Sequence, residues 1–170
     1  MNYTFTDHLH NYAVWTAARA SQRGFTTTDK IKFAIEATGL KGLIKEKCPT
    51  SIKDFDNFLR KTGRTIIREL NKKGIDTTYG RAAKIIAVYI KTAIVIRDSG
   101  KSILAKIAHP PIDNILLSNL NKTNKSLGIS GLKWTLLTEK EYFELIAKLR
   151  TLNLKYFWEL EKHWTPVQKG

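Results

Sequence analysis

The segment Thr77–Arg97, TTYGRAAKIIAVYIKTAIVIR, decides the fold of this chain. It is the most apolar stretch of the sequence, and the short side chains of Ala82, Ala83 and Ala87 allow neighbouring elements to pack closely against it. Thr77 or Thr78 can cap a helix at its start. We therefore predict a central buried helix here, with a strand as the alternative because Ile and Val are frequent. The residues expected among the most buried are Ile85, Ile86, Val88, Tyr89 and Ile94.

Amphipathic helical patterns flank this segment on both sides, since apolar residues recur there at helical spacing. The segments with this pattern are 7–22, 26–40, 49–70, 102–109, 112–122, 135–150 and 154–164. Gly63 is expected to bend or split the third of them. Thr138 with Glu141 is the signature of a capping box. The sequence thus predicts an all-α fold: a single compact domain of about seven to nine helices over residues 1–170, with the helices from about 138 packing on the core.

Composition limits the class of protein. The chain has 170 residues, of which 42% are hydrophobic, so it can bury a core. No apolar run approaches the roughly 20 residues that cross a bilayer, and the N-terminal residues lack the pattern of a signal peptide. Cys48 is the only cysteine, which excludes an internal disulfide and a cysteine-based zinc site. We expect a cytoplasmic protein with no membrane partner.

The net charge of +14 is the strongest functional signal in the composition. The stretch Lys30–Lys106 carries 18 Lys and Arg against 7 Asp and Glu, whereas the chain from Thr138 onward is nearly neutral. Such an excess is typical of proteins with an anionic partner. We predict a nucleic-acid-binding protein that contacts duplex DNA through its phosphates. An interaction module for an acidic protein is an alternative, and the oligomeric state stays open.

A line of basic residues on the predicted helix over 49–70 is the first candidate binding surface. Arg60, Arg64 and Arg68 are spaced by four and therefore share one helix face, and Lys72 follows at its exit. Arginine forks suit phosphate oxygens. The alternative is an ordinary solvated helix face.

The start of the central helix is the second candidate binding surface. Gly80 and Arg81 lie at the positive end of this helix, where free N–H groups bind phosphate. An arginine there opposes the helix dipole unless an anion offsets it. Tyr79, Lys84 and His109 complete the predicted nucleic-acid contacts.

The histidines give no sign of a metal centre. His8 and His10 are two residues apart, so they point in different directions on a helix. No histidine pair has ligand spacing with a carboxylate. We expect neither a metal nor a cofactor.

Asp113, in the stretch IAHPPIDNILL (Ile107–Leu117), admits two roles. After Pro110 and Pro111 it can stabilise the start of a helix. It can also be a carboxylate that the prolines hold rigidly at the mouth of a basic groove. Hydrogen bonds only to its own helix would favour the capping role. A cleft with Asp113 beside Arg or Lys would favour chemistry.

Two stretches, TTYGRAAKIIAVYIKT…HPPIDNILL and YAVWTAARASQRGFTTTDKIKFAIEATGL, resemble the helix-hairpin-helix DNA glycosylase superfamily. The resemblance implies that Gly80 matches the last glycine of the DNA-gripping hairpin and that Asp113 is the catalytic aspartate. The Leu-Pro-Gly-x-Gly hairpin itself is absent, and Ala82 stands where lyase members carry their Schiff-base lysine. The implied alternative function is a glycosylase-like hydrolase without lyase activity. Its tryptophans could stack on a flipped base, although most aromatic residues are expected in the core.

Overall fold

The helix that the sequence predicts to be central and buried does lie at the centre of the structure. The computed structural model describes residues 2–45 and 48–165. The α-helices are α1 (Phe5–Ser21), α2 (Thr28–Glu36), α3 (Gly42–Lys45), α4 (Ile52–Asn71), α5 (Tyr79–Ile90), α6 (Ile103–Ile107), α7 (Asn114–Thr123) and α8 (Glu139–Arg150). Short 3₁₀ segments are Lys125–Leu127, Trp134–Leu136 and Phe157–His163. More than half of the described residues are helical and none forms a strand, so the all-α prediction is confirmed.

Helix α5 is buried because its neighbours enclose it on several sides. It packs mainly against α1 and α4, and its first turn lies under the 3₁₀ segment Trp134–Leu136. The Thr78 side chain caps it by accepting the N–H of Arg81. All five residues predicted to be most buried lie in the core, with Ile85, Ile86 and Tyr89 fully inaccessible.

The chain continues from α5 into a π-helical segment, Lys91–Ile96, where the sequence predicts an unbroken α-helix to Arg97. Hydrogen bonds in a π-helix join residues five apart rather than four. Lys91 and Ile96 therefore share one face of the segment. Single π-turns inside helices are frequent at functional sites.

The sequence predicts that Gly63 bends or splits α4; the helix runs through Gly63 without a break, so of these two outcomes the split is wrong. Gly63 is instead a contact point. A Cβ at this position would lie 2.8 Å from Cε2 of Tyr79, so the absent side chain lets the Tyr79 ring pack against α4. Ser51 caps the helix by accepting the N–H of Asp54.

The C-terminal part packs on the same hydrophobic cluster as the rest of the fold. The capping box of Thr138 and Glu141 is present at the start of α8. The segment 154–164, predicted as a helix, forms 3₁₀ turns over Phe157–His163. Its two buried side chains, Phe157 and Leu160, are three residues apart, which suits the three-residue turn of a 3₁₀ helix. Among the described residues, no helix has both the length and the apolar character needed to cross a membrane.

Candidate functional site

The two carboxylate oxygens of Asp113 perform different tasks. Oδ1 accepts the N–H of Leu116 at 3.0 Å, so Asp113 is the N-cap of α7 and the capping prediction is confirmed. Oδ2 accepts the indole N–H of Trp164 at 3.1 Å and lies 3.4 Å from the Nζ of Lys84. Asp113 is therefore bound to its own helix on one side and to distant parts of the chain on the other.

Asp113 lines a cleft of about 320 Å³, which we call the Asp113 cleft. Segments from five parts of the chain form its walls. The lining residues are Thr16 and Ala20 of α1, Lys84 and Val88 of α5, Lys91, Thr92 and Ile96 of the π-helical segment, Pro111 and Asp113 before α7, and Glu161 and Trp164 near the C-terminus. Asp113 therefore lies in a cleft beside a lysine, and this is the arrangement that favours a functional role.

Two ion pairs lie side by side in this cleft. Lys84 pairs with Asp113, and their side chains are only 12% and 15% exposed. Lys91 pairs with Glu161. Burying charge has a desolvation cost that pairing often fails to repay, so buried ion pairs are weak evidence for a purely stabilising role. Burial also raises the pKa of Glu161 above its usual range, against the opposing effect of Lys91. The cleft thus offers two carboxyl groups in different environments beside two ammonium groups.

The sequence identified only part of this cleft. Asp113 and Lys84 are among the predicted site residues, whereas Lys91, Glu161 and Trp164 are not. Lys91 is seven residues after Lys84 on the predicted helix, so helical spacing could have placed it on the same face. Glu161 and Trp164 are distant in sequence from both lysines, and no local pattern marks them.

The predicted basic stripe on α4 is exposed but partly neutralised. Glu139, the first residue of α8, accepts hydrogen bonds from Arg64 at 2.8 Å through both oxygens and from Arg60 at 2.8 Å. Arg68 and Lys72 both bind Glu69, at 2.9 and 3.0 Å.

Two carboxylates therefore hold four cations, and the stripe keeps a net positive charge. Arg64 and Arg68 remain 68% and 61% exposed, with N–H groups left for another ligand.

The N-terminus of α5 is occupied by the protein's own backbone. The N–H of Gly80 donates to the carbonyl of Leu137 at 3.0 Å. The N–H of Arg81 donates to Thr78 Oγ1 at 3.4 Å, and that hydroxyl donates to the carbonyl of Thr135. These N–H groups are not free for a phosphate, in contrast to the expectation from the sequence. A local sequence pattern cannot show that a distant loop covers the helix end.

Tyr79 and Arg81 have different surroundings. Tyr79 is 3% exposed among the rings of Tyr142 and Phe143, and burial raises the pKa of its phenol. Its hydroxyl is buried without a hydrogen-bond partner among the described residues. Arg81 is half-buried, and its guanidinium lies 4.3 Å from the ring centre of Phe25. Of these two predicted contacts, only Arg81 reaches the surface.

His109 is a core residue, 3% exposed, so a nucleic acid cannot contact it in this fold. Its Nδ1 lies 3.1 Å from the Tyr142 hydroxyl and its Nε2 lies 3.1 Å from Asp56 Oδ1. Arg150 binds Asp56 through two hydrogen bonds of 2.8 and 2.7 Å. Burial lowers the pKa of His109, so the ring is neutral at neutral pH. His109 therefore belongs to an internal polar network rather than to a binding surface.

The described residues contain no group of three or more His, Cys, Asp or Glu side chains that could hold a metal ion. His10, which the sequence places on a different helix face from His8, lies 2.7 Å from the Tyr89 hydroxyl and 3.0 Å from the half-exposed Glu36 carboxylate.

Fold and site together define a strongly basic, all-α protein in which the Asp113 cleft holds two ion pairs. Compared with known protein families, curated proteins and solved structures, the chain has no significant match in any of the three. The helix-hairpin-helix hypothesis therefore stays a prediction from the residues.

Proposed function

We propose that the protein binds nucleic acid through contacts with phosphates. The observation that carries this proposal is the surplus of cations, a net charge of +14. In residues 2–45 and 48–165 most carboxylates already lie in ion pairs, whereas most lysines and arginines lie in none. The surplus positive charges repel one another in the folded chain, and binding of a polyanion offsets this repulsion. A cytoplasmic location stays a prediction.

The basic stripe on α4 is the best candidate for the phosphate contacts. Arg64, Arg68 and Lys72 are exposed and Arg60 is half-buried, and Glu139 and Glu69 hold these side chains in position on α4. Pre-positioned guanidinium groups lose less conformational freedom when they bind a phosphate. Arg81, half-buried and without an ion pair among the described residues, is a further candidate.

We expect binding to duplex DNA to fall steeply as salt rises, because lysine and arginine release counterions from the phosphates. The variant Arg64→Gln/Arg68→Gln removes the two most exposed arginines of the stripe. Arg60 stays paired with Glu139 and Lys72 stays paired with Glu69, so each carboxylate keeps one cationic partner. The slope of log K against log salt should decrease by about 2 in magnitude, alike for all sequences. Fluorescence anisotropy over a salt series measures this.

The matched control is Lys125→Gln/Lys155→Gln, which removes the same charge at two exposed lysines away from α4. A control that weakens binding as much as the arginine variant would show that only net charge matters. Absence of wild-type binding at about 50 mM salt, where phosphate contacts are strong, would count against the proposal and favour the acidic-protein alternative.

A second candidate function is glycosylase-like base excision through Asp113. The observation that favours it is the cleft, in which the Asp113 carboxylate lies beside Lys84 and accepts the indole N–H of Trp164. A carboxylate in such a place can activate water or stabilise a cationic sugar. Glu161 places a second carboxyl group, whose pKa burial raises, among the residues that line the same cleft.

The variant Asp113→Asn tests this function. Asparagine caps a helix about as well as aspartate, but it carries no charge to balance Lys84. Its single carbonyl oxygen cannot replace both carboxylate oxygens, which accept hydrogen bonds from the Leu116 N–H and the Trp164 indole. We expect a destabilisation of about 1–2 kcal/mol, measured by urea unfolding, together with loss of any base release. Lys125→Gln is the control for both measurements.

The activity assay is incubation with duplexes that carry common lesions, followed by alkaline cleavage at abasic sites. If the wild type excises none of them, the enzyme hypothesis fails and Asp113 keeps its structural role.

A further inference from the structure

Helix α1 presents an exposed row of aromatic rings, which we call the α1 aromatic stripe. It consists of Tyr3, which lies just before the helix, and of Phe5, His8, Tyr12 and Trp15 on the helix itself. From Phe5 onward these residues follow the three- and four-residue spacing of one helix face. Tyr3 is 65% exposed, Phe5 75%, Tyr12 55% and Trp15 53%. Side chains of this size are usually buried, so a continuous exposed row marks an interaction surface.

The rings of the α1 aromatic stripe are ordered by contacts among themselves. Tyr12 and Trp15 are stacked with centroids 5.8 Å apart and planes inclined by 26°. His8 is stacked on Phe5 at 6.4 Å and lies within hydrogen-bonding distance of the Tyr3 hydroxyl, 3.2 Å. The result is a set of flat π surfaces that already have fixed orientations and still face solvent.

Cations continue the stripe at its C-terminal end. Arg19 lies one turn after Trp15 on the same face, and Arg23 follows directly after the helix; both are exposed. In the described part of the chain neither forms an ion pair. The one carboxylate on α1, Asp7, is bound to Lys41 at 2.9 Å. The surface therefore combines open aromatic faces with two arginines that no carboxylate in residues 2–45 and 48–165 pairs with.

We propose that the α1 aromatic stripe stacks on the bases of an unpaired nucleic-acid strand, with Arg19 and Arg23 contacting its phosphates. This inference rests on the proposed nucleic-acid function and adds the kind of strand. Aromatic faces interleaved with cations are the recognition chemistry of single strands, whose bases are free to leave their neighbours. A duplex keeps the faces of its bases stacked on one another and offers these rings only base edges and backbone.

A second copy of this chain is a poorer occupant of the same surface. Two chains with a net charge of +14 each repel one another, and the arginines at the end of the stripe would stay unpaired. A nucleic-acid strand satisfies the rings and the arginines together.

The experiment measures binding of a labelled single strand of about 12 deoxythymidines and of a duplex of equal length, both at about 50 mM salt. We expect Trp15→Ala to weaken single-strand binding about tenfold, as loss of one stacked base implies, and to leave duplex binding within about twofold. Trp15→Phe should restore most of the affinity, because phenylalanine still stacks. Single-strand binding should quench tryptophan emission in the wild type and much less in Trp15→Phe.

Ile103→Ala is the matched control, since Ile103 is 59% exposed and lies outside the stripe. Single-strand affinity that is unaffected by Trp15→Ala, or no better than duplex affinity, would overturn the inference and leave phosphate binding standing. Absence of binding to both ligands would remove the proposed function and this inference with it. A change of elution volume of Trp15→Ala in size-exclusion chromatography would assign the stripe to self-association instead.

Discussion

Replacing Gly80 by alanine should destabilise the fold by about 4 kcal/mol, a magnitude that is typical only of severe overpacking. A Cβ at this position would lie 1.9 Å from the carbonyl oxygen of Trp134 and 3.3 Å from the Cβ of Leu137. The obstacle is backbone, and the hydrogen bond from Gly80 N–H to Leu137 fixes it in place. Helix propensity alone predicts the opposite sign, since alanine is favoured over glycine in a helix by about 1 kcal/mol.

Gly39→Ala is the control for this experiment, because nothing lies within 4 Å of a Cβ there and its backbone angles suit any residue. Urea unfolding followed by circular dichroism gives both free energies. Equal stability of the two variants would show that the Trp134–Leu136 segment moves away from α5 at little cost.

The second large effect is expected at Asp56, which joins Arg150 and His109. Burial alone would raise its pKa, but the hydrogen bonds from Arg150 and His109 hold the pKa of Asp56 well below its usual range. Asp56→Asn removes the charge and leaves Arg150 without a counter-ion. Breaking a buried pair typically costs 3–5 kcal/mol; because these side chains are partly exposed, we expect about 2–4 kcal/mol. Asp76→Asn, an exposed acid without an ion pair among the described residues, should change stability by less than about 0.5 kcal/mol.

The same network makes stability depend on pH. Folding lowers the pKa of His109 from its ordinary 6.5 and that of Asp56 from its ordinary 3.8. The unfolded chain therefore binds more protons than the folded one in acid, and stability falls as pH drops below about 6.5 and falls further below about 4. Unfolding in urea at pH 7 and pH 5 measures the first step. Equal stability at the two pH values would contradict a neutral buried His109.

Much of the fold follows from local sequence patterns, because periodicity and capping act over one or two helical turns. The buried face of α5, the caps at Thr78 and Thr138, and the capping role of Asp113 could all be predicted in this way. The π-helical turn and the 3₁₀ turns near the C-terminus could not, because tertiary packing rather than propensity selects among helix types.

The site was less predictable because its contacts join distant residues. The sequence places Arg60 and Arg64 on one face but does not show that Glu139, at the start of another helix, binds both of them. It places Gly80 at a helix end but does not show the loop that covers this end. His109 looked available beside its prolines and is instead enclosed by aromatic rings.

The π-helical segment Lys91–Ile96 gives the wall of the Asp113 cleft an unusual tolerance of chain length. A π-turn holds one residue more than the α-turn it replaces. Loss of a single residue between Lys91 and Ile96 would therefore return the segment to α-helical geometry without rotating the residues that follow. Lys91 and Ile96 would then be four residues apart, a spacing that still places both on one helix face. A one-residue deletion inside α5 has no such compensation, because every later residue would rotate by about 100° around the helix axis. We expect a one-residue deletion to be tolerated better in the π-helical segment than in α5.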